Sequence, residues 1–343
     1  MKILVGMSGG IDSSFAAMKL KAEGHEVAGA VLVMHEYTDT RAAKDVCLRL
    51  DIPLYEVDCR QQFTDYVKTD FIYEYSHGRT PNPCIICNQT VKFRCLYEES
   101  KRLGFDAIAT GHYARIAERE EDGVRRLAFT RSADQAKDQT YMLYRLDQDI
   151  MRALILPLAD ENKEEVRARV IEKGIVPDTI SESQEICFIP DNNYVGFIEE
   201  HIGPSREGNF VDELGKPIGK HKGIIHYTIG QRKGLGISLG YRAFVSHIDP
   251  LSGDITLTRE GLPIKKVVLE NSVYSGMAEP GIESSREVLV KLRYRAPLVE
   301  ATAHFRTGGV IILELRKAVA SVAPGQSAVL YDGDVVLAGG IIS

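Results

Sequence analysis

The opening stretch constrains this chain more than any other part of it. "KILV" is a short apolar run that passes into "GMSGGIDSS", and a helical pattern begins directly behind it. A buried strand, a glycine loop and a helix start, in that order, predict an α/β sheet that binds ligands beyond the carboxyl ends of its strands. The glycines let successive backbone N–H groups approach an anion, and the helix N-terminus adds a favourable dipole. The spacing is not G-x-G-x-x-G, which argues against a dinucleotide fold. No Gly-Lys-Ser/Thr follows, which argues against a Walker loop. On geometry alone the loop is either a tight capped turn or a phosphate cradle.

The rest of the chain extends the first prediction. Apolar strands "HEVAGAVLVM", "PLYEVDC" and "DAIATGHY" alternate with helical patterns over 13–23, 40–50, 63–75, 88–103 and 161–173, the last stopped by Pro177. This alternation predicts a doubly wound parallel sheet. After about residue 190 the texture changes. Glycines become dense between Gly203 and Gly261, and from about 265 short strands and turns predict a small antiparallel barrel or sandwich. The expected domains are 1–190, 191–264 and 265–343, in keeping with 343 residues.

Composition excludes some classes. No apolar run reaches the roughly 18–20 residues of a membrane helix, and the N-terminal run is too short for a signal peptide. The expectation is a cytoplasmic protein whose six cysteines are thiols, ligands or catalysts rather than structural disulfides. The net charge of −6 argues against a uniformly basic nucleic-acid coat. Yet Lys216, Lys220, Lys222, Arg232, Lys233 and Arg242 lie in a window with no Asp or Glu. That window is a solvated basic loop or an anion contact.

The order SGG-x-DS resembles the pyrophosphatase loop of enzymes that adenylate a carbonyl oxygen or carboxylate. Beside it stand "TPNPCIICNQTVKF", "ATGHYAR", "KDQTYMLYRL", "SESQEICFI", "YTIGQRKGLGIS" and "KLRYRAPL". Together and in that order they resemble the bacterial tRNA-specific 2-thiouridylases, over the chain from residue 3 to its end. The resemblance implies a pyrophosphatase-type catalytic domain, a central tRNA-contacting domain and a C-terminal β-barrel. It implies ATP with Mg²⁺, tRNA, and a sulfur donor, which is a cysteine desulfurase, a relay protein or free sulfide. Gly6, Met7, Ser8, Gly9, Gly10, Ile11, Asp12 and Ser13 would hold the ATP phosphates, with Asp12 helping to place Mg²⁺. Leu32 would hold the adenine, with Met34 as a competing alignment, and Gly111 would flank the nucleotide. Asn82, Pro83 and Cys84 would line the target-base pocket. His112, Lys137, Asp138, Gln139, Arg293, Tyr294 and Gln326 would face the tRNA. Cys87 matches the nucleophile and Cys187 the sulfur-carrying cysteine, whereas Cys47, Cys59 and Cys95 fall to packing.

The chemistry asks for these residue types. A uracil C2 carbonyl is a poor electrophile until AMP is placed on its oxygen, and only a sulfur nucleophile can then deliver sulfur. The base must leave its stack to be reached. Two departures stand out. Where most members carry aspartate this chain has Cys84, so Cys84, Cys87 and Cys187 could ligate three irons of a 4Fe–4S cluster and leave the fourth open. The C-x-x-C pair is also read as a persulfide site with a transient Cys87–Cys187 disulfide, and zinc ligation with His112 or simple packing is the remaining alternative. The segment "MHEYTDTRAAKDV" is also shorter than expected, which leaves the RNA position open. The rival readings are a pyrophosphatase-loop ligase or amidotransferase, which needs no cysteine pair, and a non-catalytic RNA-binding scaffold, which needs no intact loop.

Overall fold

The computed structural model describes residues 1–121, 123–179, 186–261, 263–281 and 283–343. Within the motif "SESQEICFI", Ser181 to Glu185 lie outside the described residues.

Five parallel strands form the first sheet: β1 Lys2–Gly6, β2 Glu26–Val33, β3 Leu54–Asp58, β4 Ala107–Ala109 and, after a hairpin, β7 Leu154–Ile155. Their order is β3-β2-β1-β4-β7. The chain therefore runs outward from β1 on one side and resumes at β4 on the other. The carboxyl ends of β1 and β4 are neighbours, with Val5 opposite Ala109. This is the switch point at which such sheets open a ligand crevice. Helices Ile11–Ala22, Arg41–Arg49 and Lys163–Glu172 bury Phe15, Val46 and Val166 on one face. The opposite face is covered by Phe93 and Leu96 from one long helix and by Ile150 and Met151 from the short helix Gln148–Ala153. The expected helix at 88–103 begins earlier, at Pro83, and residues 60–76 form another long helix. Both are interrupted by π-turns, Thr64–Lys68 and Asn88–Lys92.

The hairpin β5 Arg115–Glu121 and β6 Val124–Thr130 was not anticipated. It leaves the first sheet and joins the C-terminal one, where Thr130 pairs with Val335. Beyond helix Tyr194–Ile202, also not anticipated, lies a small sheet of β8 Gly208–Val211, β9 Pro217–His221, β10 Phe244–Ile248 and β11 Ile255–Thr258. Its order is β10-β11-β8-β9, around Phe210, Val245 and Ile255.

The C-terminal strands are β12 Ile264–Val273, β13 Ser284–Lys291, β14 Val299–Arg306, β15 Val310–Val319, β16 Ser327–Asp332 and β17 Val335–Ile342. They run β12-β15-β14-β13-β16-β17, and β12 also pairs with β17, so the sheet closes into a six-stranded barrel. Closure leaves no edge among these six. The barrel shares a core with the first sheet: Val329, Tyr331 and Val336 pack with Tyr141, Tyr144 and Phe129. Gly339 permits this approach, because a Cβ there would lie 2.6 Å from the Tyr144 ring. The turn 324–326 also clasps the strap ahead of Pro83. Thr80 N–H donates to Pro324 O at 2.7 Å, and Gln326 Nε2 donates to Thr80 O at 2.7 Å.

Candidate functional site

The loop after β1 is held by its own hydroxyls. Ser8 Oγ and Ser13 Oγ lie 3.0 Å apart, Ser8 N–H donates to Ser13 Oγ at 3.2 Å, and Gly10 N–H donates to Ser8 Oγ at 3.3 Å. Gly9 has φ +76°, and a Cβ there would fall 2.5 Å from Ala42 Cβ, so only glycine fits. Gly10 precedes helix Ile11–Ala22 without a side-chain cap bond. The first-turn N–H groups thus keep no side-chain acceptor, as an anion site requires. Gly111, in the loop after β4, lies against the same helix start: a Cβ there would be 2.5 Å from the Asp12 carbonyl carbon.

Asp12 is engaged. Lys163 Nζ donates to both of its carboxylate oxygens, at 2.7 and 2.8 Å, and Tyr113 Oη donates at 3.1 Å. Lys163, at the start of helix Lys163–Glu172, is buried. Sequence reading missed it, since nothing in "ENKEEV" links it to a loop some 150 residues earlier. Met7 and Leu32 are buried, and Met34 follows β2 directly.

Asn82 and Pro83 start the cysteine helix. Asn82 Oδ1 accepts from Cys84 N–H at 3.2 Å, and Pro83 fills the first turn, where no N–H is needed. Cys84 is exposed and Cys87, one turn on, is buried with its Sγ 3.7 Å from Met34 Sδ. Cys187 is exposed, yet its neighbours Phe188 and Ile189 are buried beside Phe63 and Phe71. Ile186, Phe188 and Ile189 hold this stretch against that apolar cluster while the Cys187 thiol stays exposed, so Cys187 is not a buried packing residue. Burial pushes the Cys87 thiol up to about 12; Lys92 opposes this, and Cys187 and Cys84 add to it. Local crowding likewise raises Cys187, followed by Cys84, with Lys92 again opposing. The three thiols and Lys92 thus share one neighbourhood. Cys47, Cys59 and Cys95 are buried, and the last two belong to the same apolar cluster as Cys87.

Asp12 of the loop and Cys84 of the cysteine helix line one cleft of about 1310 Å³, and Ile186, the neighbour of Cys187, lines it too. Asp12 and Lys163 stand at its wall with His112 and Tyr113. Asn82, Cys84 and Lys92 reach it from the cysteine helix and its cap. Lys137, Asp138 and Gln139 reach it from the turn after β6, and Arg293, Tyr294 and Gln326 from the barrel. Six cations line it, Lys92, Lys137, Lys163, Lys291, Arg293 and Arg295, against the two carboxylates of Asp12 and Asp138. Asp138 is also spent: it accepts from Thr140 Oγ1 at 2.7 Å and Ser132 N–H at 3.3 Å. Gln139 Oε1 accepts from Tyr113 N–H at 2.9 Å. These two side chains shape the turn, leaving Lys137 as its charged group. His112 packs tilted against Phe93 with centroids 5.4 Å apart, and its Nδ1 lies 2.8 Å from Thr110 Oγ1. Burial and then Lys92 push the imidazole down to about 3, so it is neutral at ordinary pH.

Among the described residues no three His, Cys, Asp or Glu side chains gather as a metal site. As placed, the three thiols do not form a ready cluster cradle, and Asp12 meets a lysine rather than a second carboxylate. No helix among them is long and apolar enough to cross a membrane. The basic window lies apart from the cleft: its six cations are all exposed, with no ion pair among the described residues. Arg232 and Arg242 flank a groove of about 630 Å³ with Tyr241.

The chain matches three family profiles in series. They are described as a tRNA methyl transferase HUP domain over residues 1–191, a tRNA methyl transferase PRC-barrel domain over 195–259 and an aminomethyltransferase beta-barrel domain over 265–342. It is 41% identical to the tRNA-specific 2-thiouridylase MnmA of Lachnoclostridium phytofermentans, with 99% of each chain covered. It is 39% identical to the protein of that name from Clostridioides difficile, covering 99% of this chain and 98% of that one. The chain belongs to the tRNA-specific 2-thiouridylase family. Among solved structures, a 4-thiouridine synthetase bound to RNA and ATP matches 58% of this chain and 50% of its own, at 19% identity and TM-score 0.38.

Proposed function

We propose that the protein is an ATP-dependent tRNA sulfurtransferase that places sulfur on C2 of uridine, at the wobble position. The observation that carries this reading is the single cleft, where Asp12 of the glycine loop, Cys84 and a surplus of cations meet, with Cys87 one turn behind Cys84 and Cys187 next to the lining residue Ile186. The cations suit an RNA backbone, and the cleft is wide enough for an extruded base. The proposed domains are 1–190 for catalysis, 191–264 for tRNA contact and 265–343 for the barrel.

In this reading Gly6 through Ser13 hold the ATP phosphates, and Leu32, Met34 and Gly111 bound the nucleoside. The uracil O2 attacks the α-phosphorus, and pyrophosphate leaves. Mg²⁺, were it to displace Lys163 from Asp12, would be held by that carboxylate and would supply charge neutralisation for the leaving group. Lys163 supplies the cation that the loop itself lacks. Asn82, Pro83 and Cys84 line the base pocket, with neutral His112 and Lys137, Arg293, Tyr294 and Gln326 along the RNA. The terminal sulfur of a Cys187 persulfide attacks C2 and AMP departs. Attack by Cys87 on the Cys187 sulfur then releases the thiocarbonyl and leaves a Cys87–Cys187 disulfide for an external reductant. No step is drawn through a 4Fe–4S cluster, because the thiols are not gathered for one. Iron and acid-labile sulfide in anaerobically purified, active protein would reinstate that route.

The test is to incubate the protein with ATP, Mg²⁺, bulk tRNA and a sulfur donor and to analyse nucleosides by mass spectrometry. 2-Thiouridine derivatives in tRNAs with a wobble uridine are expected. Release of AMP and pyrophosphate without any thionucleoside would favour a ligase instead.

A further inference from the structure

A second cavity, of about 350 Å³, lies at the seam between the cysteine helix, β6 and the barrel. It is separate from the catalytic cleft: Met142 lines the cleft, whereas Arg145 to Gln148 line this cavity. Three guanidiniums meet here, those of Arg94, Arg126 and Arg145. The one carboxylate among the lining side chains, Asp147, is already used. Arg94 Nη2 donates to it at 2.5 Å, and its other oxygen caps helix Gln148–Ala153 through Ile150 N–H at 2.9 Å.

Among the described residues the other two arginines have no ion pair. Arg145 donates to Gln89 Oε1 at 2.6 Å, to Asn271 O at 3.0 Å and to the Tyr144 hydroxyl at 3.2 Å, all of them neutral. Arg126 makes no hydrogen bond or ion pair among the described residues, and its Nε is buried without a partner. Ser275, 6% exposed, lines the same space, and its buried Oγ also lacks a partner. A buried donor with no acceptor is costly, so two of them facing one arginine-rich space favour an acceptor-rich occupant. Val273 and Tyr274 give that space an apolar flank.

We infer that this seam is a second anion site, built for a phosphate ester whose organic part rests on Tyr274. Tetrahedral phosphate oxygens can accept from several guanidinium N–H groups and a hydroxyl at once. The source is either an RNA backbone phosphate or a free phosphorylated small molecule, both with the same recognition chemistry. The inference does not depend on the thiolation reading.

Calorimetry on the full-length protein, with the ATP site filled by a non-hydrolysable ATP analogue, tests it with uridine 5′-monophosphate as probe. One nucleotide should still bind per chain. Arg126→Met should weaken it by about tenfold or more, and Ser275→Ala, which removes only a hydroxyl, by a smaller factor. In parallel, tRNA binding is measured against salt. A slope reduced by about one in Arg126→Met assigns the site to an RNA phosphate. An unchanged slope with lost nucleotide binding assigns it to a free phosphate compound. If neither nucleotide binding nor the slope responds to Arg126→Met or Ser275→Ala, the inference is wrong.

Discussion

At the scale of single residues, the site separates groups that carry charge from groups that cannot. His112 is held neutral by its surroundings, at about 3. Its NMR shifts should stay flat from pH 5 to 8, and a midpoint in that range would contradict the burial argument. The Cys87 thiol, pushed up to about 12, stays protonated in the free protein. Alkylation at pH 8 should therefore mark the exposed Cys84 and Cys187 well before Cys87. Equal labelling of all three would mean that the pocket is open without RNA. Lys163→Met, which strips Asp12 of its ammonium partner and the loop of its nearest cation, should lower pyrophosphate release by about 10²–10³. Wild-type release rates from that variant would remove Lys163 from the ATP site.

At the scale of elements, local signals were legible and long-range pairings were not. The strand, loop and helix at the N-terminus read directly, because each signal sits next to the last. The cysteine helix also read well, although its start at Pro83 lies five residues before the expected one. The hairpin at 115–130 gave no clear apolar alternation, since "RIAEREE" is mostly charged and only partly buried. It is a strand pair because the barrel accepts it, with Arg119 and Arg286 both on Asp332 at 3.1 and 2.8 Å. Helix Tyr194–Ile202 has a signal that was overlooked, Asn193 as N-cap, accepting from Gly196 N–H at 3.0 Å. A glycine in its first turn blurred the pattern. The helix 60–76 carries its own prediction. Burial, then Glu74, raises the Asp70 carboxyl from 3.8 to about 6. A raised folded-state value favours the protonated form, so stability is fuller below that window and falls as pH climbs from about 4 through 6. Asp70→Asn should therefore stabilise the protein above pH 6 by about 1–2 kcal/mol after allowance for partial exposure, and by little at pH 4. Urea unfolding at both pH values measures it.

At the scale of the molecule, charge is deployed in patches on an acidic chain. Replacing Lys220, Lys222, Arg232 and Lys233 together by Gln should reduce the slope of log affinity for tRNA against log salt by about three. An unchanged slope would take the central sheet out of the RNA interface. The cleft itself has walls from both ends of the chain, an arrangement that the resemblance implies through Arg293, Tyr294 and Gln326 but that no local pattern gives. It depends on the clasp of Thr80 by Pro324 and Gln326, and on Gly325, where a Cβ would lie 2.9 Å from Thr80 N. Synthesis on the ribosome proceeds from the other end. The glycine loop and Cys84 and Cys87 emerge first, while the residues that fix the strap ahead of them are translated about 240 residues later. The strap is thus fixed by a long-range contact, which can form only after residues 324–326 have been made.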